Sequence, residues 1–80
     1  MNKARRNEIE RIINALEDLR DDILNVADDE RDAFDNMPES LQQSERGEQM
    51  EMNADDLCCV YDDLDSVITS LTDILDNNNG

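Results

Sequence analysis

Only three residues of this chain are strong helix breakers, and their placement leaves two long stretches with none. Pro38 and Gly47 stand close together near the middle, and Gly80 is the last residue. Proline lacks a backbone donor and disfavours helix at the residue before it, so a first helix must stop near Asn36. Upstream, Ile9, Ile12, Ile13, Leu16, Leu19, Ile23, Leu24, Ala27 and Phe34 recur mostly at three- and four-residue steps, the spacing of one helical face. Downstream, Leu57, Leu64 and Leu71 repeat at sevens. Val60/Tyr61, Val67/Ile68 and Ile74/Leu75 fill the intervening positions, and Met50 and Ala54 lead in, a coiled-coil pattern.

These signals predict an all-α chain with a helix over 2–36, a linker over 37–44 and a helix over 45–77, forming one domain across residues 1–80. Pro38 to Leu41 suits a single helical turn with proline at its first position. Ser44 is placed to cap the second helix, with Glu45 and Glu48 favourable in its first turn. Gly47 weakens that start by up to ~1 kcal/mol. Asn77-Asn78-Asn79-Gly80 reads as a helix end and frayed tail. The two apolar stripes have similar lengths, which predicts an antiparallel helical hairpin. Leu41, the one large aliphatic residue between Pro38 and Gly47, is expected to fold back over the bundle end near Phe34 and Met50.

The apolar arcs are wider than one partner helix needs. A chain of 80 residues also rarely builds a core worth more than ~3–5 kcal/mol alone. Both points predict a homodimer, two hairpins associating as a four-helix bundle.

Charge is the second constraint. The chain has 22 acids and 7 bases, a formal charge of -15, and no Lys or Arg follows Arg46. Such a charge repels nucleic acid and anionic membrane surfaces, so neither is an expected direct partner. No apolar run is long enough to span a membrane, and Met1 to Arg6 lacks the apolar core of a signal peptide, so a cytoplasmic location is expected. At about 100° per residue the acids gather into one arc on each helix, including Glu17, Asp21, Asp28, Asp32 and Asp35 on the first and Asp55, Asp62 and Asp65 on the second. Ordinary exposed helices interleave Lys with Glu, because opposite charges four residues apart stabilise by ~0.2–0.5 kcal/mol and like charges cost as much. The missing counter-charge marks these eight residues as the expected surface for a basic partner, beyond a merely solvated face. Glu30 is an exception that falls within the apolar arc. Arg20 and Arg31, on or beside that arc, are expected to pair with acids at the helix interface. The basic N-terminal residues Lys3, Arg5, Arg6 and Arg11 should lie beside Asp73 and Asp76.

No catalytic chemistry is legible. The chain has no His, which removes the common thiolate-activating base and nitrogen metal ligand. Cys58 and Cys59 point about 100° apart on a helix and cannot bridge. Cys58 reads as packing at the flank of the stripe. Asp28 to Asp35 lacks the Gly and the spaced Glu of a calcium loop and falls in a helical pattern. The expectation is a non-enzyme with no cofactor and no dedicated metal site.

The linker Asp35-Asn36-Met37-Pro38-Glu39-Ser40-Leu41-Gln42 with Ser44-Glu45-Arg46-Gly47-Glu48, set between two acidic helices, resembles a group of short proteins encoded in phages and mobile elements of Gram-positive bacteria, over most of the chain. In charge and size the chain is also similar to phage-encoded DNA mimics, including anti-restriction and anti-CRISPR proteins. That second resemblance implies an inhibitor in the host cytoplasm that occupies the basic groove of a nucleic-acid-binding defence protein. The alternative expectation is a helical assembly or adaptor module that docks another protein through its apolar stripe.

Overall fold

The computed structural model describes residues 1–78, and these form three helices in succession: α1 (Lys3–Asp35), the single turn α2 (Glu39–Gln42) and α3 (Glu45–Asn77). α1 stops one residue inside each of its expected ends because asparagines cap it. The Asn2 side chain accepts from the Arg5 amide at 2.8 Å, and Asn36 closes the last turn of α1. Ser44 caps α3, accepting from the Gly47 amide at 3.3 Å. Asn77 ends α3 and Asn78 is its cap, while the tail expected at Asn79 and Gly80 lies outside the described residues.

α1 and α3 pack side by side and antiparallel. Arg20 of α1 bonds Asp65 of α3 at 2.8 Å, and Arg31, further along α1, bonds the earlier residue Asp55. The result is a rod of 59 × 15 × 13 Å, two helices thick. Its Cα radius of gyration is 18.0 Å, against ~12 Å for a compact chain of this length.

A rod this thin has almost no interior. The buried side chains are Ile13, Ala27, Ala54 and Ile68. They belong to two seven-residue tracks that face each other, Arg6–Ile13–Arg20–Ala27–Phe34 on α1 and Gly47–Ala54–Tyr61–Ile68–Leu75 on α3, all buried or half-buried. A neighbouring pair of tracks, Ile9–Leu16–Ile23–Glu30–Met37 and Met50–Leu57–Leu64–Leu71, is half-buried throughout. The residue doublets of the second helix are thereby resolved. Tyr61, Ile68 and Leu75 turn inward, and Val60, Val67 and Ile74 are left exposed.

The linker is compact. The Leu41 and Gln42 amides of α2 donate to the Pro38 carbonyl at 2.8 and 3.0 Å, and the Ser44 hydroxyl donates to the Leu41 carbonyl. The Gln42 side chain donates to the Phe34 carbonyl at 3.0 Å, satisfying the end of α1. Gly47 is buried where α2 meets α3, and a Cβ there would overlap the carbonyl oxygens of Leu41 and Gln42. Glycine is thus a requirement of this close approach, not merely a weak helix start. The expectation for Leu41 is corrected. It stays 49 % exposed beside Ala33, Met37, Arg46 and Met50. The polar Gln42, not Leu41, ties the linker to the end of α1, because an orphan helix carbonyl needs a donor.

Candidate functional site

Antiparallel pairing brings like tracks of the two helices to the same side of the rod, and the two sides differ sharply in chemistry. On one side run Glu10–Glu17–Leu24–Arg31 and Asp21–Asp28–Asp35 from α1, with Glu48–Asp55–Asp62–Thr69–Asp76 and Glu51–Cys58–Asp65–Thr72 from α3. Shared clefts fix this assignment: Glu10, Ile13 and Asn14 line one with Thr72 and Leu75, and Lys3, Arg6, Asn7 and Glu10 line another with Thr72 and Asp76. Seven of the eight acids expected at the partner surface belong to this flank; Asp32, on the Arg11–Asp18–Asn25 track, lies on the back of α1 away from α3. Glu17 is half-buried and the other seven are exposed.

The eight are not electrostatically equivalent. Arg20 bonds both Asp65 and Asp21, at 2.8 and 3.2 Å, and its guanidinium stacks over Tyr61 at 5.5 Å from the ring centroid. Arg20 lies on the inner track with its side chain only 18 % exposed. That burial pulls its pKa down, and the bonds to Asp21 and Asp65 together outweigh it, raising it above the ordinary value. Arg31 is likewise raised, by its hydrogen bond to Asp55, then by that residue's charge. The expected pairing of both arginines at the helix interface is therefore observed. Asp21, Asp55 and Asp65 are committed to arginine, while Glu17, Asp28, Asp32, Asp35 and Asp62 form no ion pair among the described residues. At the open end, Lys3 and Arg6 share a cleft with Asp76, and Asp73, expected beside them, is not part of it.

The opposite side is apolar. Ile12–Leu19–Val26–Ala33 of α1 lies beside Asn53–Val60–Val67–Ile74 of α3, rung by rung. Ile12 faces Ile74, Leu19 faces Val67 and Val26 faces Val60 in the register that Arg20–Asp65 sets. Glu30 lines a cleft there with Asn53, Asp56, Leu57 and Val60, and Ala33 and Met37 line one with Arg46 and Met50. Leu19 is 54 % and Val67 47 % exposed. A contiguous stripe of large aliphatic side chains this open is unusual for a surface that meets only water.

The remaining chemical candidates find no constellation. Cys58 and Cys59 are free thiols and both are exposed, so the packing role expected of Cys58 is corrected: it stands at the rim of the acidic flank, near Arg31. Asp28 to Asp35 lies wholly within α1. No group of three or more His, Cys, Asp or Glu side chains is placed to hold a metal ion among the described residues. None of the described helices is long and apolar enough to cross a membrane. No family model, curated protein or solved structure matches the chain.

The sequence missed which member of each doublet faces outward and which acids the arginines occupy. The first was detectable in the seven-residue track through Gly47, Ala54 and Tyr61, where small residues mark close helix approach.

Proposed function

We propose that this chain is an acidic protein inhibitor that imitates a nucleic-acid strand and fills the basic groove of a nucleic-acid-binding protein. The single observation that carries the reading is the merging of both acidic arcs into one flank of a straight, rigid rod. The flank carries eleven carboxylates along a rod of 59 Å, roughly one per 5 Å. That spacing is wider than, but of the same order as, the ~3.4 Å per phosphate of one DNA strand. Asp28, Asp35, Asp62 and Glu17 present the open charge, and Asp21, Asp55 and Asp65 frame it while holding the helices in register. Short Asp side chains keep these charges close to the backbone. Such a surface steers a basic partner into contact and makes association strongly salt-dependent. The resemblance of the linker and composition to phage-encoded acidic proteins supports a host defence protein as the target, met in the cytoplasm.

The same reading includes a homodimer. The exposed rungs on the opposite flank support two hairpins joined there as a four-helix bundle, which leaves both acidic flanks outward. That flank also supports the alternative reading, an adaptor that docks a different helical protein through its apolar stripe.

Pull-down from bacterial lysate at graded salt tests the proposal. A partner lost by at least about tenfold between ~50 and ~200 mM salt is expected. Asp28→Asn/Asp35→Asn/Asp62→Asn should abolish capture while leaving the helical signal intact. A partner retained at high salt and released by Leu19→Glu would overturn mimicry in favour of apolar docking.

A further inference from the structure

The apolar flank is not uniform along its length, and its charges select one way of covering it. Three aliphatic rungs, Ile12/Ile74, Leu19/Val67 and Val26/Val60, occupy its middle, with Leu19/Val67 at their centre. At one end of this stripe lies Arg5, on the same track as Ile12 and Leu19, exposed and in no ion pair among the described residues. At the other end, the half-buried Glu30 and the exposed Asp56 line one cleft, also without a cation. The stripe is thus basic at one end and apolar in the middle, and at the other end Glu30 and Asp56 outnumber Arg46, which lines the next cleft with Ala33.

We infer that the occupant of this flank is a second copy of the chain, docked antiparallel about a two-fold axis through the Leu19/Val67 rung, with Arg5 of each protomer reaching Glu30 and Asp56 of its partner. This rests on the dimer proposed above and specifies its geometry. A two-fold axis at that rung lays Ile12/Ile74 of one copy on Val26/Val60 of the other and Leu19/Val67 on itself, so every aliphatic rung meets another. Fourteen residues before Leu19 is Arg5, and fourteen after it is Ala33. Arg5 therefore arrives about three residues from Glu30, ~4.5 Å along the axis, within reach of an arginine side chain. A parallel arrangement places Arg5 on Arg5 and gathers Glu30 and Asp56 of both copies in one spot. Like charges juxtaposed at an interface oppose that register, whereas the antiparallel one pairs them.

Charge reversal tests this, read by sedimentation equilibrium, with circular dichroism confirming intact helices. Arg5→Glu and Glu30→Arg should each raise the dimer dissociation constant about five- to tenfold, since two symmetry-related pairs are broken at once. The double variant Arg5→Glu/Glu30→Arg should recover most of the loss. If Glu30→Arg weakens the hairpin itself, the exposed Asp56→Arg takes its place in the same cycle. A dimer that Glu30→Arg tightens and Arg5→Glu leaves unchanged is parallel and overturns the inference. A double variant no better than the worse single variant also overturns it. A wild-type chain that is monomeric at high micromolar concentration removes the dimer reading itself, and with it this inference.

Discussion

The acidic and apolar flanks of the rod are made by the same two helices, yet they use the antiparallel register in opposite ways. On the acidic flank, like charges are brought together, and the arrangement stands because Arg20 and Arg31 reach across from α1 to Asp65 and Asp55 of α3. On the apolar flank no such bond spans the helices among the described residues; Leu19, Val26, Val60 and Val67 simply lie level and open. The charged side therefore contributes register, which directional ion pairs provide and aliphatic contacts do not. The apolar side contributes surface area that one hairpin cannot hide. The proposed function on one flank and the proposed assembly on the other both build on that division.

The sharpest way to break the comparison is to charge the apolar flank. Leu19→Glu/Val67→Glu should abolish dimerisation, with at least about a hundredfold loss of affinity measured by sedimentation, because it plants carboxylates at the centre of the interface. Salt-sensitive capture of a basic partner should survive, since the acidic flank is untouched. Loss of both properties together would show that the flanks do not act independently.

Next in size is Gly47→Ala. A methyl group there overlaps the Leu41 and Gln42 carbonyls, so α2 must move. A cost of roughly 1–3 kcal/mol is expected, which lowers the thermal midpoint by ~5–15 °C.

Removing the arginine clamps, Arg20→Ala/Arg31→Ala, should have effects of opposite sign on fold and function. The unfolding midpoint falls, because Asp21, Asp55 and Asp65 lose their partners and Tyr61 loses its stacked guanidinium. Capture of a basic partner by the remaining folded chain strengthens and becomes more salt-sensitive, because three further carboxylates are released. Weaker capture would show that the clamped acids matter for their geometry and not their charge.

The smallest effects belong to residues away from the acidic flank and the three aliphatic rungs. Leu41→Ser should change stability by less than ~0.5 kcal/mol in urea unfolding, because Leu41 is already half exposed. Glu8→Gln should matter only with pH. The hydrogen bond from Arg11, and then its charge, hold the Glu8 carboxyl below its ordinary value of 4.5. A lowered folded value gives stability that is present above the unfolded value and lost as pH falls through the folded one. The difference between wild type and Glu8→Gln in thermal melts should therefore be small and constant at neutral pH and shrink as pH falls below the ordinary value of 4.5.

Much of this architecture was written in local chemistry. Pro38 sets the end of α1 because its ring and missing donor act on adjacent residues, and Asn2 and Ser44 mark helix starts because a cap bonds an amide three residues on. The seven-residue spacing of Leu57, Leu64 and Leu71 fixed the helical type of α3 for the same reason, since periodicity is a property of one element. The acidic arcs were legible on each helix separately. What one helix cannot specify is its rotation against another. In Val60/Tyr61, Val67/Ile68 and Ile74/Leu75 both members are apolar, so hydrophobicity alone does not choose which turns inward. Small Ala54 made that choice by letting its own track approach α1, while Gly47 on the same track admits the carbonyls of α2. The same rotation decided that Arg20 reaches Asp65, that Leu41 stays in solvent while Gln42 bonds Phe34, and that the two acidic arcs form one surface. Those outcomes depend on distances between residues far apart in the chain, which only the packing of α1 against α3 brings into existence.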